Sequence, residues 1–155
     1  MMDTYSSPTN YSAILTHPYG QPYAFFNACY PVPGPAEAIV RLDFSGVCHG
    51  DVYSRDGGGP APVNPIRPLV GGHEGVGEIM SVGEKAESLG VAVGDVVGIA
   101  WRSRVCEKCY PCRQQAQNHC EEQEVVGMHR DGTFQRQYKI CYLDLGVQEF
   151  QSIAN

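Results

Sequence analysis

Cys106-Glu107-Lys108-Cys109-Tyr110-Pro111-Cys112, followed after a seven-residue gap by Cys120, concentrates four thiols in one short stretch of the chain. Cys-x2-Cys steps let tight turns aim successive sulfurs at one point. Four thiolates at this spacing can close tetrahedrally around zinc and leave no open position. A closed site of this kind is structural. The final gap and the lack of proline after Cys120 do not fit the cysteine run of an iron–sulfur ferredoxin. Disulfide pairing is the plainer alternative, and His119 could replace a neighbouring cysteine as a ligand. The spacing predicts a zinc-binding lobe over about residues 101–122.

Outside the lobe, the text favours short strands and turns. The chain has 155 residues with Gly 18 and Pro 11, enough for one domain with a hydrophobic core but punctuated throughout. Residues 1–10 read as a loose arm. Ala38 to Phe44 reads as a half-buried strand, with Val40, Leu42 and Phe44 on one face and Arg41 and Asp43 on the other. Val76 to Val82 reads as a second strand, and Val93 to Ile99 turns at Gly94-Asp95 into a third. Gly57 to Pro68 is too rich in breakers to be anything but loop. Helical text is limited to about His49–Arg55 and Glu84–Leu89. No internal repeat is present. The pattern predicts a mainly β fold, a small antiparallel barrel or sandwich with a few short helices.

Charge and hydropathy exclude some partners. A net charge of −6 argues against nucleic acid, because phosphate binding needs a cationic face. The most apolar stretch, Val91 to Trp101, is interrupted by Asp95 and is too short to span a membrane. Met1 to Asn10 lacks the basic-then-apolar order of a signal peptide, so the expected setting is cytoplasmic and reducing. There, seven cysteines point to metal more than to disulfides.

Two further segments hold metal-type residues: Gly46-Val47-Cys48-His49-Gly50-Asp51 and Gly71-Gly72-His73-Glu74-Gly75-Val76-Gly77. Taken alone, Cys48 reads equally as a small buried hydrophobe and His73 as a satisfied polar group. Neither glycine-rich stretch is a phosphate cradle, since Gly-x-Gly-x-x-Gly and Gly-x-x-x-x-Gly-Lys do not occur.

The succession of these two motifs, then Val93-Gly94-Asp95-Val96-Val97-Gly98-Ile99, then the four-cysteine lobe resembles the zinc-dependent medium-chain alcohol dehydrogenases. Gly98-Ile99-Ala100-Trp101 and Asp131-Gly132-Thr133-Phe134-Gln135 point to the fungal and yeast branch. The resemblance covers residues 11–138. It implies a GroES-like, partly open antiparallel β-barrel, followed in the family by a Rossmann domain. It implies that Cys48 and His73 are ligands of a catalytic zinc, with Glu74 beside the metal and Asp51 fixing the tautomer of His73. The same resemblance puts His49 near the cofactor pyrophosphate and Trp101 at the substrate pocket, although Trp101 reads equally as a core aromatic.

The function so implied is oxidation of a primary alcohol to an aldehyde, with zinc and NAD(P) as cofactors and a small alcohol or aldehyde as substrate. Departures from the pattern are equally specific. Gly50 stands where the family has Ser or Thr, and Tyr53 where a proton-relay His is frequent. A third catalytic cysteine ligand is absent, and Cys141 lies too close to Phe134 to take that role. Lys139 to Asn155 matches nothing in the family, and no Rossmann segment follows it. The expectation is a truncated or misread gene product, or a domain put to another use, impaired as an enzyme on its own. The alternative is a non-enzymatic zinc module, or a subunit that needs a partner chain or a second copy. A metal-dependent, non-redox enzyme using Cys48 and His73 is the remaining alternative.

Overall fold

A computed structural model describes residues 10–15, 18–28, 31–58 and 68–141. The arm at 1–9, most of the loop at 59–67 and the end of the chain at 142–155 lie outside the described residues.

Two open sheets make up the body. The larger has the order β6-β5-β3-β9, from strands β3 Glu37–Ser45, β5 Gly75–Val82, β6 Val96–Ile99 and β9 Gln137–Cys141, all antiparallel. The smaller has the order β2-β1-β4, from β1 Asn10–Leu15, β2 Ala24–Ala28 and β4 Leu69–Val70. A bridge between Ser12 and Gln135 and a hydrogen bond from Ala13 N to Phe134 O (2.7 Å) join the two edges. The sheets meet at one side and remain open at the other, which agrees with the expected partly open, mainly β fold.

The core lies on the large sheet, where Ala38, Val40, Ile79, Val97, Ile99, Tyr138 and Ile140 pack with Val91 and Val126. β3 departs from the simple alternation expected of it. Ala38, Ile39 and Val40 are all buried, whereas Phe44 is 76% exposed. Register shifts between Ile39 and Val40 and between Leu42 and Phe44 rotate the strand, so Phe44 leaves the core face that Val40 occupies. Gly77 sits at the second shift; a Cβ there would run into the Arg41 carbonyl, which explains a glycine inside a strand.

The helices fall where expected, α1 at His49–Asp56 and α2 at Glu84–Ser88. Lys139, Ile140 and Cys141 belong to β9, paired with Glu37 to Ile39, so the sheet extends past the point where an unassigned tail was expected to begin. Cys141 lines a cavity of about 500 Å³ between the sheets, together with Ile14, Leu69, Val70 and Tyr138. No helix among the described residues is long and apolar enough to cross a membrane.

Candidate metal centres

The lobe stands on a two-stranded ribbon, β7 Arg102–Arg104 and β8 Glu124–Val125. Pro111, at the start of α3 (Tyr110–Arg113), sets the short helix that carries Cys112, and a 3-10 turn at Gln117–His119 delivers Cys120. Glu107 and Gln115 hold left-handed backbone at φ 58° and 59°. For residues with a Cβ this costs about 1–2 kcal/mol each, and it persists only where the surroundings enforce it.

That geometry converges the sulfurs. All four Sγ atoms of Cys106, Cys109, Cys112 and Cys120 lie within 4.8 Å of one another. The Cys120–Cys106 and Cys109–Cys120 separations are 3.6 and 4.0 Å. A tetrahedral zinc with Zn–S bonds of about 2.3 Å needs sulfurs about 3.8 Å apart, between these two values. Backbone N–H groups of Cys106 and Cys109 donate to Cys120 Sγ and Cys106 Sγ, each at 3.3 Å. Hydrogen bonds from the backbone at Cys112 and Glu121 hold the Cys109 thiol down at about 6, while burial pushes Cys112 up to about 12. Thiols packed this closely cannot all ionise without a cation among them. His119 is exposed and lies outside the sulfur group. The donor set fits zinc with no position left open.

A second cluster forms where α1 starts. Cys48 is the N-cap of α1: its Sγ accepts from Gly50 N at 3.2 Å, and Asp51 reaches back to accept from Cys48 N at 2.9 Å. This reciprocal capping fixes the helix start and leaves Cys48 exposed, not buried as a small hydrophobe would be. β4 and β5 bracket Gly71 to Glu74, where Gly72 takes φ 85° so that the turn can present His73 beside Cys48. His73 Nε2 is 3.1 Å from Cys48 Sγ and 3.9 Å from Glu74 Oε1. Its other nitrogen, Nδ1, faces Asp51 Oδ1 at 3.4 Å. Cys48, His73 and Glu74 form the second donor group able to hold a metal among the described residues.

Burial is graded across this cluster. Asp51 is 4% exposed and His73 7%, whereas the Glu74 side chain is 54% exposed. A Cβ at Gly50 would lie 3.2 Å from both Cys48 Sγ and His73 Cε1, so Gly50 leaves that face of the pair uncovered. The Tyr53 and His49 rings pack in a T-shaped arrangement with their centroids 4.6 Å apart. Trp101 is 41% exposed, so it is not a core aromatic. It follows β6, whose Ile99 pairs with Gly75 next to Glu74.

The hydrogen bond to Asp51 raises His73 from 6.5 to about 9 in the metal-free protein. The pairing therefore contributes stability that is complete below pH 6.5 and is lost as pH rises through about 9. Metal binding needs the neutral ring and runs in the opposite sense. In the metal-free chain, Asp51→Asn is expected to return the His73 titration toward its ordinary value. NMR titration of the imidazole checks this; an unchanged midpoint would contradict the role given to Asp51.

Behind both ligand segments lies Thr133, a residue the sequence did not single out as functional. Its Oγ1 is 2.7 Å from Ser45 Oγ, across 88 positions of chain. A separation of that size leaves no local signal in the text.

Comparison with known proteins agrees with this fold. The sequence model of the alcohol dehydrogenase GroES-like domain matches residues 34–144. Alcohol dehydrogenase 1 of Emericella nidulans is 37% identical over 131 residues, covering 84% of this chain and 36% of that protein. Alcohol dehydrogenase 2 of the same organism is 41% identical over 107 residues, covering 68% and 29%. Among solved structures, the cobalt- and zinc-bound thermostable alcohol dehydrogenase from Pyrobaculum aerophilum superposes with a TM-score of 0.74 at 23% identity, over 88% of this chain and 40% of that one. The chain thus spans about a third of the length of the curated relatives it matches. With two thiol-containing donor groups that could each hold a metal set in this fold, and a family match over most of its length, the chain belongs to the alcohol dehydrogenase GroES-like domain family.

Proposed function

We propose that the chain is the zinc-binding, substrate-side part of a nicotinamide-dependent alcohol dehydrogenase. The reading rests on one observation above all: a closed four-sulfur cluster and an open Cys48–His73–Glu74 cluster occur in one domain. The closed cluster holds a structural zinc. Cys48, His73 and Glu74 hold the catalytic one, with Asp51 orienting the His73 ring. Bound there, zinc supplies a Lewis acid that polarises an alcohol or aldehyde oxygen. Gly50 leaves room at the donor pair for the substrate or for water, in place of a hydroxyl side chain. Proton removal then falls to water, because the Tyr53 phenol is a poor base near neutral pH. Trp101 lines the substrate side, His49 faces the cofactor, and primary alcohols are the substrate class. A cytoplasmic, reducing setting suits the free thiols.

Hydride transfer requires a nicotinamide held about 3–3.5 Å from the alcohol carbon. The sequence contains no Gly-x-Gly-x-x-Gly turn to hold one. The 155-residue chain assayed by itself is therefore expected to give no family-like NADH production from ethanol or from longer or aromatic primary alcohols. Zinc-dependent turnover that disappears in Cys48→Ala would contradict this. A second reading, a subunit completed by a partner chain or second copy, draws on Phe44 and Val47, which are 76% and 75% exposed close to Cys48 in sequence. NADH production appearing only when a coenzyme-binding domain is supplied as a separate chain would favour it.

A further inference from the structure

We propose that Thr133 is a positioning residue for the Cys48–His73–Glu74 centre, acting through a hydroxyl pair with Ser45. The proposal rests on reading that cluster as a metal centre.

The ligands come from two separate segments. Cys48 follows the end of β3, while His73 and Glu74 lie between β4 and β5. Thr133 is 1% exposed and touches both. Toward the histidine segment, its backbone N–H donates to Gly72 O at 3.1 Å. A Cβ at Gly72 would lie 2.7 Å from Thr133 Oγ1, and one at Gly75 would lie 2.8 Å from its Cγ2. The glycines on either side of His73–Glu74 thus make room for one threonine side chain. Toward the cysteine segment, Thr133 Oγ1 meets Ser45 Oγ at 2.7 Å. Ser45 Oγ is also 3.4 Å from Gly46 O, which it reaches as donor; in that arrangement Thr133 is the donor to Ser45. Gly46 N in turn donates to Glu74 O at 2.7 Å, closing the link between the two segments.

This pair is a side-chain hydrogen bond between the β3 end and the 131–134 segment. A metal centre tolerates only a small spread in ligand position, so support one layer behind the ligands is worth affinity. Thr133→Val keeps the branched shape and removes the hydroxyl. Ser45→Ala removes the other half at a less buried position. Thr133→Ser keeps the hydroxyl and removes the methyl that packs on Gly75.

The test is a cobalt(II) titration of the full chain with its lobe already filled by zinc, which is silent in the visible region. Thr133→Val and Ser45→Ala are each expected to weaken cobalt binding at the second centre by about 10-fold. The double variant should be no weaker than either single one, and Thr133→Ser should bind within about twofold of wild type. Lobe zinc retained in every variant separates this effect from general unfolding. Unchanged cobalt affinity and spectrum in both Thr133→Val and Ser45→Ala would overturn the proposal alone. So would Thr133→Ser as weak as Thr133→Val, which would assign the effect to packing. A wild-type chain that takes up no cobalt at this centre would overturn the metal-centre reading, and the proposal with it.

Discussion

Cys109→Ser is expected to empty the lobe of metal and to unfold it, while the large sheet stays folded. Between residues 105 and 123 the only buried residues are Cys112 and Cys120, so the lobe has no apolar core of its own. Its backbone includes two strained left-handed residues, Glu107 and Gln115. Exposed ion pairs such as Lys108–Glu122 at 3.3 Å add little to offset this. What remains to hold the turns is metal coordination, worth about 10–16 kcal/mol in small zinc modules. Losing one of four ligands should cost more than the 10- to 100-fold in affinity that follows loss of a partner behind a ligand. The core residues Val40, Ile79 and Val97 lie on the large sheet and do not depend on the lobe. Limited proteolysis of Cys109→Ser should cut within the lobe and spare the sheet. A variant that resists cleavage there and keeps its metal would contradict the four-sulfur assignment.

His73→Ala is expected to abolish metal binding at the second centre and leave the lobe's zinc in place. Among the described residues three donors meet there, and Glu74 is 54% exposed, so the loss of His73 leaves one thiol and a solvated carboxylate. Two such donors do not hold zinc against water and buffer at ordinary concentrations. The change also leaves the buried Asp51 carboxylate without its imidazole partner, a destabilising effect separate from metal loss. Glu74→Gln, which leaves Asp51 and His73 paired, should weaken the same site without that penalty. Elemental analysis of the purified variants distinguishes the outcomes. A His73→Ala chain that keeps two metals would mean that another side chain completes the site.

Much of this arrangement was legible in the sequence because metal ligands are few in kind and the lobe's spacing is short. Cys106 to Cys120 announces itself locally, whereas Cys48 and His73 become informative only through the order of the motifs around them. The strands at 37–45 and 75–82 follow from β-rich text between glycine turns. Phe44 was misplaced because alternation assumes an unbroken register, and the shift between Leu42 and Phe44 depends on the partner strand. The left-handed turn at Glu107 was illegible for a different reason: glutamate has no preference for that backbone, and the closing cluster imposes it. Thr133 and Ser45 were missed because their meaning lies in a contact between distant segments.

The central claim is that one GroES-like domain carries two metal centres of unequal strength, one closed by four sulfurs and one left open at Cys48, His73 and Glu74. A chelator competition on the intact, zinc-loaded chain tests it most directly, with released zinc counted per chain as chelator strength increases. The account predicts two zinc ions released in two well-separated steps, the first lost to mild chelator and absent in His73→Ala, the second retained until the lobe itself unfolds. Release of both in one step, a single zinc per chain, or iron in place of zinc would contradict it.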